Sequence, residues 1–139
     1  MDANAKPILK ADVLICEDDA MNRDLIVTRL AKLGISPATA KNGQEGLDIV
    51  TRRQMNGEKP FDLILMDINM PVMDGLEAAT KIRKLNTGVP VIAMTPNCAL
   101  PEREKYQAHG MVDCLCKPFT LQELQDCLLK YMPAANQNI

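Results

Sequence analysis

Four short strand-like segments in this chain each end in a side chain able to do chemistry. Leu63-Ile64-Leu65-Met66 stops at Asp67, Val13-Leu14-Ile15-Cys16 runs into Glu17-Asp18-Asp19, residues 89–94 finish at Thr95, and residues 111–116 give way to Lys117-Pro118. The runs at 13–16 and 63–66, bounded by turn residues, read as buried strands of a parallel sheet, and the other two segments as further strands of it. In parallel strands these ends share one edge of the sheet, the edge where open α/β sheets bind ligands. Glu17, Asp18 and Asp67 crowded there repel one another unless a cation sits among them, and oxygen-only ligands select a hard ion, Mg²⁺. Lys117 adds a mobile positive charge and Thr95 a hydroxyl donor. A carboxylate in that company is equipped to receive a phosphoryl group. The metal and Lys117 would offset charge on the equatorial oxygens while the Asp67 carboxylate attacks in line. Asp67 is therefore read as the reacting group.

The elements between the strands read as helices. Ile26, Leu30 and Leu33 recur at i, i+4 and i+7 over residues 20–33, and Gly34 is placed to end that helix. Residues 36–40 are a weak strand at or near an edge. Asn42 suits the cap of a helix over 43–54 with Leu47 and Val50 inward, and Asp74 the cap of one reaching about residue 85 with Leu76, Ala79 and Ile82 inward. Pro101, with Glu102 and Glu104 behind it, opens a polar helix to about residue 108, closed by Gly110. Leu121, Leu124, Leu128 and Tyr131 mark a last amphipathic helix. Five βα units predict a single doubly wound α/β domain of flavodoxin-like type, a parallel five-stranded sheet in order 2-1-3-4-5 with helices on both faces. The domain is expected over 11–132, between a polar lead-in at 1–10 and a frayed tail at 133–139.

Composition narrows the function classes. The chain has 139 residues, 47% apolar and 24% charged, which suits one soluble domain with a substantial core. Its net charge of −2 and the lack of a basic stripe argue against direct nucleic-acid binding. No run has membrane-spanning length and no signal-peptide pattern opens the chain. Five Cys without framework spacing read as reduced thiols of a cytoplasmic protein. Cys114 and Cys116 share one strand face and read as core thiols, since no second pair has zinc spacing.

The segments LICEDDAMNR, LILMDINMPVMDG, VIAMT and CLCKPF, in this order and spacing, resemble the receiver domain of two-component response regulators. The wording of EDDAMNR and MDINMPVMDG is similar to receivers of hybrid sensor histidine kinases. The resemblance implies roles residue by residue. Asp67 matches the phosphoaccepting aspartate, Asp18 the direct Mg²⁺ ligand, Glu17 the acid that holds metal through water, and Asn69 the position whose backbone carbonyl faces the metal. Thr95 matches the switch hydroxyl, and Lys117 the lysine that pairs with phosphoryl oxygens, with a cis bond to Pro118. The implied partners are a histidine kinase or a histidine phosphotransfer protein, with weak homodimerisation, no direct nucleic acid and no membrane insertion. The implied activity is Mg²⁺-dependent self-phosphorylation and dephosphorylation without enzymatic turnover.

Two positions depart from the family pattern. Cys114 stands where the switch partner of Thr95 is ordinarily an aromatic ring or histidine, and Pro96 stands where a small residue is usual. Proline restricts Thr95 toward extended geometry and stiffens the loop. The expectation is intact phosphoacceptance with an atypical switch. Two alternatives remain to be weighed. A phosphorylation-independent interaction module of the same fold is one, favoured by Cys114 and Pro96. An aspartyl-phosphate phosphatase is the other, disfavoured because Asn69 stands where it needs an acid/base. Among the remaining residues, Asp19 reads as a helix cap, His109 as a partner of a helix C-terminus, and Met66, Met70 and Met73 as packing.

Overall fold

Every residue of three central strands is buried, because helices cover both faces of the sheet. The computed structural model describes residues 10–132. In chain order its elements are β1 (Val13–Cys16), α1 (Ala20–Ala31), β2 (Ala38–Ala40), α2 (Gly43–Met55), β3 (Leu63–Asp67), α3 (Gly75–Arg83), β4 (Val91–Thr95), α4 (Leu100–Ala108), β5 (Asp113–Cys116) and α5 (Leu121–Tyr131). Neighbouring strands pair in parallel in the order β2-β1-β3-β4-β5, as the five βα units predict.

Side-chain alternation divides the core in two. Val13, Ile15, Leu63, Leu65, Ile92 and Met94 point to the side covered by α1 and α5, against Ile26, Leu30, Leu124 and Leu128. Leu14, Cys16, Ile64, Met66, Val91 and Ala93 point to the other side, against Val50, Ala78, Ile82 and Tyr106. Each such Leu or Ile stabilises the fold by about 1.5–3 kcal/mol through burial. A period of two within continuous apolar strands therefore serves two cores at once.

Helix starts follow their caps. Asp19 accepts from the backbone N–H groups of Met21 and Asn22, Asn42 from Glu45, and Asp74 from Glu77. Thr120 and Glu123 form a reciprocal capping box on α5. Helix α4 has no side-chain cap and starts with a proline in its first turn. Several ends fall inside the predicted bounds. Strand β4 begins at Val91 rather than 89, after Pro90, which has no N–H to give; β2 begins at Ala38, after Pro37. Strand β5 begins at Asp113 rather than 111. Helix α1 stops at Ala31, where the chain reverses through Gly34 at φ 88°. The predicted tail, and the lead-in except Lys10, lie outside the described residues. No helix among the described residues is long and apolar enough to cross a membrane.

The reading of five reduced thiols is corrected here. Cys98, in the loop between β4 and α4, forms a disulfide with Cys114 of β5, their Cα atoms 6.2 Å apart. Cys116 is free and exposed, so neither it nor Cys114 is a core thiol. The loop after β4 passes beside edge strand β5, which brings together two sulfurs that no spacing rule pairs.

Candidate functional site

The strand ends converge as the parallel order demands. Glu17 extends β1 by one ladder bond, donating its N–H to the Ala40 carbonyl at 3.0 Å. Its side chain is 1% exposed and is held from two directions, by the Asp19 N–H at 3.2 Å and the Lys117 ammonium at 2.7 Å. Asp18 is exposed beside it. Arg23, one turn into α1, donates to the Glu17 carbonyl at 2.8 Å and fixes the path of this loop. Asp67 closes β3 at 7% exposure. Carboxylate oxygens of Glu17, Asp18 and Asp67 all lie within 4.8 Å of one another.

The Lys117 ammonium faces this acidic trio. Lys117 follows β5, its N–H donating to the Thr95 carbonyl at 2.8 Å, and the bond to Pro118 is cis as the resemblance implies. Its ammonium lies 2.7 Å from Glu17 and 3.4 Å from Asp67. Burial pushes the Asp67 carboxyl up to about 6, the nearby Glu17 charge adds to this, and Lys117 opposes it. For Lys117, burial acts to lower the pKa, but the hydrogen bond to Glu17 and the field of Asp67 outweigh it, and the ammonium is held above its ordinary range. Three carboxylates against one ammonium leave excess negative charge on oxygen ligands alone. That donor set fits a hard divalent cation such as Mg²⁺.

The loop from β3 to α3 frames the site. Asn69 is exposed just beyond Asp67, and Met73 is buried while Met70 is partly so. Gly75 opens α3 so close to the end of β3 that a Cβ there would lie 2.1 Å from the Asp67 carbonyl oxygen. Only glycine permits this approach. Val72 in the same loop has φ 70°, a left-handed backbone that β-branched residues rarely adopt.

Thr95 ends β4, 3% exposed, and its hydroxyl shares a 3.1 Å hydrogen bond with the hydroxyl of Tyr106 on α4. Cys114, three residues before Lys117, is bonded to Cys98. An aromatic group therefore does meet Thr95, but it comes from α4 instead of position 114. Sequence reasoning missed Tyr106. The available signal was that it is the lone aromatic residue of an otherwise polar helix, so it is the one positioned to turn inward. Cys98 carried no such signal. His109 ends α4 as expected, and its ring Nδ1 also lies 3.0 Å from the Thr80 hydroxyl of α3.

Comparison with known proteins agrees with this geometry. The family model for the response regulator receiver domain matches residues 13–129. Two-component system protein A of Emericella nidulans is 37% identical over 120 residues, which are 86% of this chain but 17% of that protein. The chain thus spans under a fifth of that relative's length. The receiver domain of sensor histidine kinase PA1611 from Pseudomonas aeruginosa, with a magnesium ion in its active-site cleft, has TM-score 0.76 and 34% identity over 87% of this chain and 96% of that one. The receiver domain of Saccharomyces cerevisiae Ssk1, crystallised with the histidine phosphotransfer protein Ypd1, has TM-score 0.81 and 30% identity, covering 91% of each chain. Strand order, acidic pocket and family match agree, and the chain belongs to the response regulator receiver domain family.

Proposed function

We propose that Asp67 accepts a phosphoryl group from a histidine kinase or a histidine phosphotransfer protein, and that residues 11–132 form the receiver unit that does so. The observation that carries this reading is the convergence of Glu17, Asp18 and Asp67 within 4.8 Å, with the Lys117 ammonium on two of the three. Glu17, Asp18, Asp67 and the backbone carbonyl of Asn69 would hold Mg²⁺. When bound, that ion supplies charge neutralisation for the transferred group.

The chain's own residues supply the remaining chemistry. The Asp67 carboxylate is the nucleophile, and in the metal-free fold its carboxyl is raised to about 6, so it is half-protonated near that pH. Lys117 is poised to exchange its Glu17 contact for an incoming phosphoryl oxygen. Thr95, freed from Tyr106, would donate its hydroxyl to the same group. Gaining and losing the phosphoryl group without an added catalyst is part of this reading. So is a cytoplasmic setting, where the nucleotide-dependent kinases that feed such relays operate.

The surface beside Lys117 supports the partner class. A groove of about 370 Å³ lined by Leu25, Ile26, Arg29, Pro96 and Phe119 opens there, and Met21 and Leu25 of α1 are exposed at 82% and 48%. An apolar patch at the rim of an acidic pocket suits docking of a protein phosphodonor better than of a small substrate.

Intact mass after incubation with a small phosphodonor, with and without Mg²⁺, tests the proposal. The expected result is a Mg²⁺-dependent gain of one phosphoryl group that Asp67→Asn abolishes. No gain would leave the phosphorylation-independent interaction module as the better reading.

A further inference from the structure

The disulfide between Cys98 and Cys114 ties down the segment that carries the Thr95 switch. Cys98 lies three residues after Thr95, and Cys114 pairs in register with Ala93 on the neighbouring strand. Between them the hydrogen bonds close a ring. The Asn97 N–H donates to the Thr95 hydroxyl at 3.2 Å, and the Tyr106 hydroxyl donates to the Asn97 carbonyl at 3.1 Å. Tyr106 has one proton to give, so the Thr95 hydroxyl must donate to the Tyr106 oxygen across their 3.1 Å contact. The proton that Thr95 would offer a phosphoryl group on Asp67 is thus engaged elsewhere. Asn97 belongs to this ring and adjoins Cys98, so the bridge to β5 holds the ring in place.

We propose that Cys98 and Cys114 form a reversible disulfide, made by exchange with a small anionic disulfide of the glutathione class, that locks the receiver switch when oxidised. The proposal rests on Asp67 being the phosphoacceptor. In the bridged form Thr95 stays on Tyr106 and the loop stays against β5. In the dithiol form the loop is free to move, Thr95 can turn to the phosphoryl group, and α4 responds.

The surroundings of Cys114 suit that reagent. Cys114 lines a cleft of about 200 Å³ whose walls carry Arg103, Lys130 and Asp113. Arg103 and Lys130 lie 3.6 Å and 3.2 Å from the single Asp113 carboxylate, leaving one positive charge in excess. That excess attracts the carboxylates of a peptide disulfide. Both Cys98 and Cys114 are half-buried, reachable by a small molecule. Cys16 and Cys127 are poor competitors, since burial pushes both thiols up to about 12.

The step balances by exchange. The Cys114 thiolate attacks one sulfur of the small disulfide, that S–S bond breaks, and one small thiolate leaves, taking up the proton Cys114 gave up. Cys98, losing its own proton, then attacks the Cys114 sulfur of the mixed disulfide, forming the internal bond and releasing a second small thiol. Two protein thiols are oxidised and one small disulfide is reduced.

The test equilibrates the protein in oxidised or reduced glutathione, blocks free thiols under denaturing conditions and maps them by peptide mass. Both forms are then treated with Mg²⁺ and a small phosphodonor, and hydrogen exchange of the segment 97–108 is followed. The expected result is loss of the blockable thiols of Cys98 and Cys114 in oxidised glutathione, with no glutathione mass on either peptide. Phosphorylation should then raise exchange of 97–108 in the reduced form alone. Cys98→Ser should respond under both conditions, and Cys116→Ser should behave like the unmodified chain, because Cys116 is outside the bridge. Persistent labelling of Cys98 and Cys114 in oxidised glutathione would overturn the proposal. So would an equal response of 97–108 in both forms. If neither form takes up a phosphoryl group, the phosphoacceptor reading fails and the gate with it, while thiol mapping still decides the bridge on its own.

Discussion

Lys117 and Glu17, 100 residues apart in the chain, meet in a 2.7 Å ion pair beneath the surface, closer than the 3.4 Å contact Lys117 makes with Asp67. The ammonium occupies part of the negative field that a divalent cation would use. Lys117→Ala is expected to raise Mg²⁺ affinity by roughly tenfold, about 1.4 kcal/mol, while suppressing phosphorylation. Calorimetric titration with Mg²⁺ at fixed ionic strength checks this. A fall in affinity would mean that Lys117 organises the acids more than it competes for them.

Asp67 is costly to keep ionised in the metal-free fold. Its carboxyl is raised from 3.8 to about 6, chiefly by burial and then by Glu17. The folded state therefore holds this proton more tightly than the unfolded state does. The resulting stabilisation is complete below about pH 4 and is lost as pH rises through about 6. Asp67→Asn should stabilise the metal-free protein by roughly 1–2 kcal/mol at pH 7, with the advantage vanishing near pH 4. Urea unfolding at the two pH values decides. By the same linkage, Mg²⁺ affinity should weaken as pH drops below about 6, because the ligand must lose its proton.

Tyr106→Phe keeps the buried ring and deletes the hydroxyl that engages Thr95 and Asn97. Loss of those bonds should cost about 1 kcal/mol in urea unfolding. Phosphorylation by a small donor should be several-fold faster, since Thr95 starts free. An unchanged rate would show that the Thr95–Tyr106 contact does not restrain the site.

Gly75→Ala places a methyl group against backbone that cannot yield, 2.1 Å from the Asp67 carbonyl oxygen before relaxation. The start of α3 or the end of β3 must shift. A loss of about 2–3 kcal/mol is expected despite the higher helix propensity of alanine, with weaker Mg²⁺ binding as Asp67 moves. Stability and Mg²⁺ titration of one variant separate the two effects.

Val72 offers the opposite case. It is 81% exposed, so little burial is lost on truncation, and its φ of 70° is strained for a β-branched side chain. Val72→Gly should stabilise the fold by about 1 kcal/mol in thermal or urea unfolding. Destabilisation would mean that the valine side chain packs usefully in the loop.

What the chain determines by itself is the layout. Short apolar runs, capping residues at Asp19, Asn42 and Asp74, and glycines past helix ends are local signals, so five βα units and their order along one sheet edge follow from pattern alone. That order already brings Glu17, Asp18, Asp67, Thr95 and Lys117 to one rim, because parallel strands all point their ends the same way. The tertiary structure alone decides how those groups pair. It sets Lys117 on Glu17 more closely than on Asp67, turns Tyr106 from α4 onto Thr95, and presses Gly75 against the Asp67 backbone. It also joins Cys98 to Cys114 across a loop and an edge strand. Each of these depends on the distance and angle at which two elements pack, and such geometry leaves no periodic trace in the order of residues.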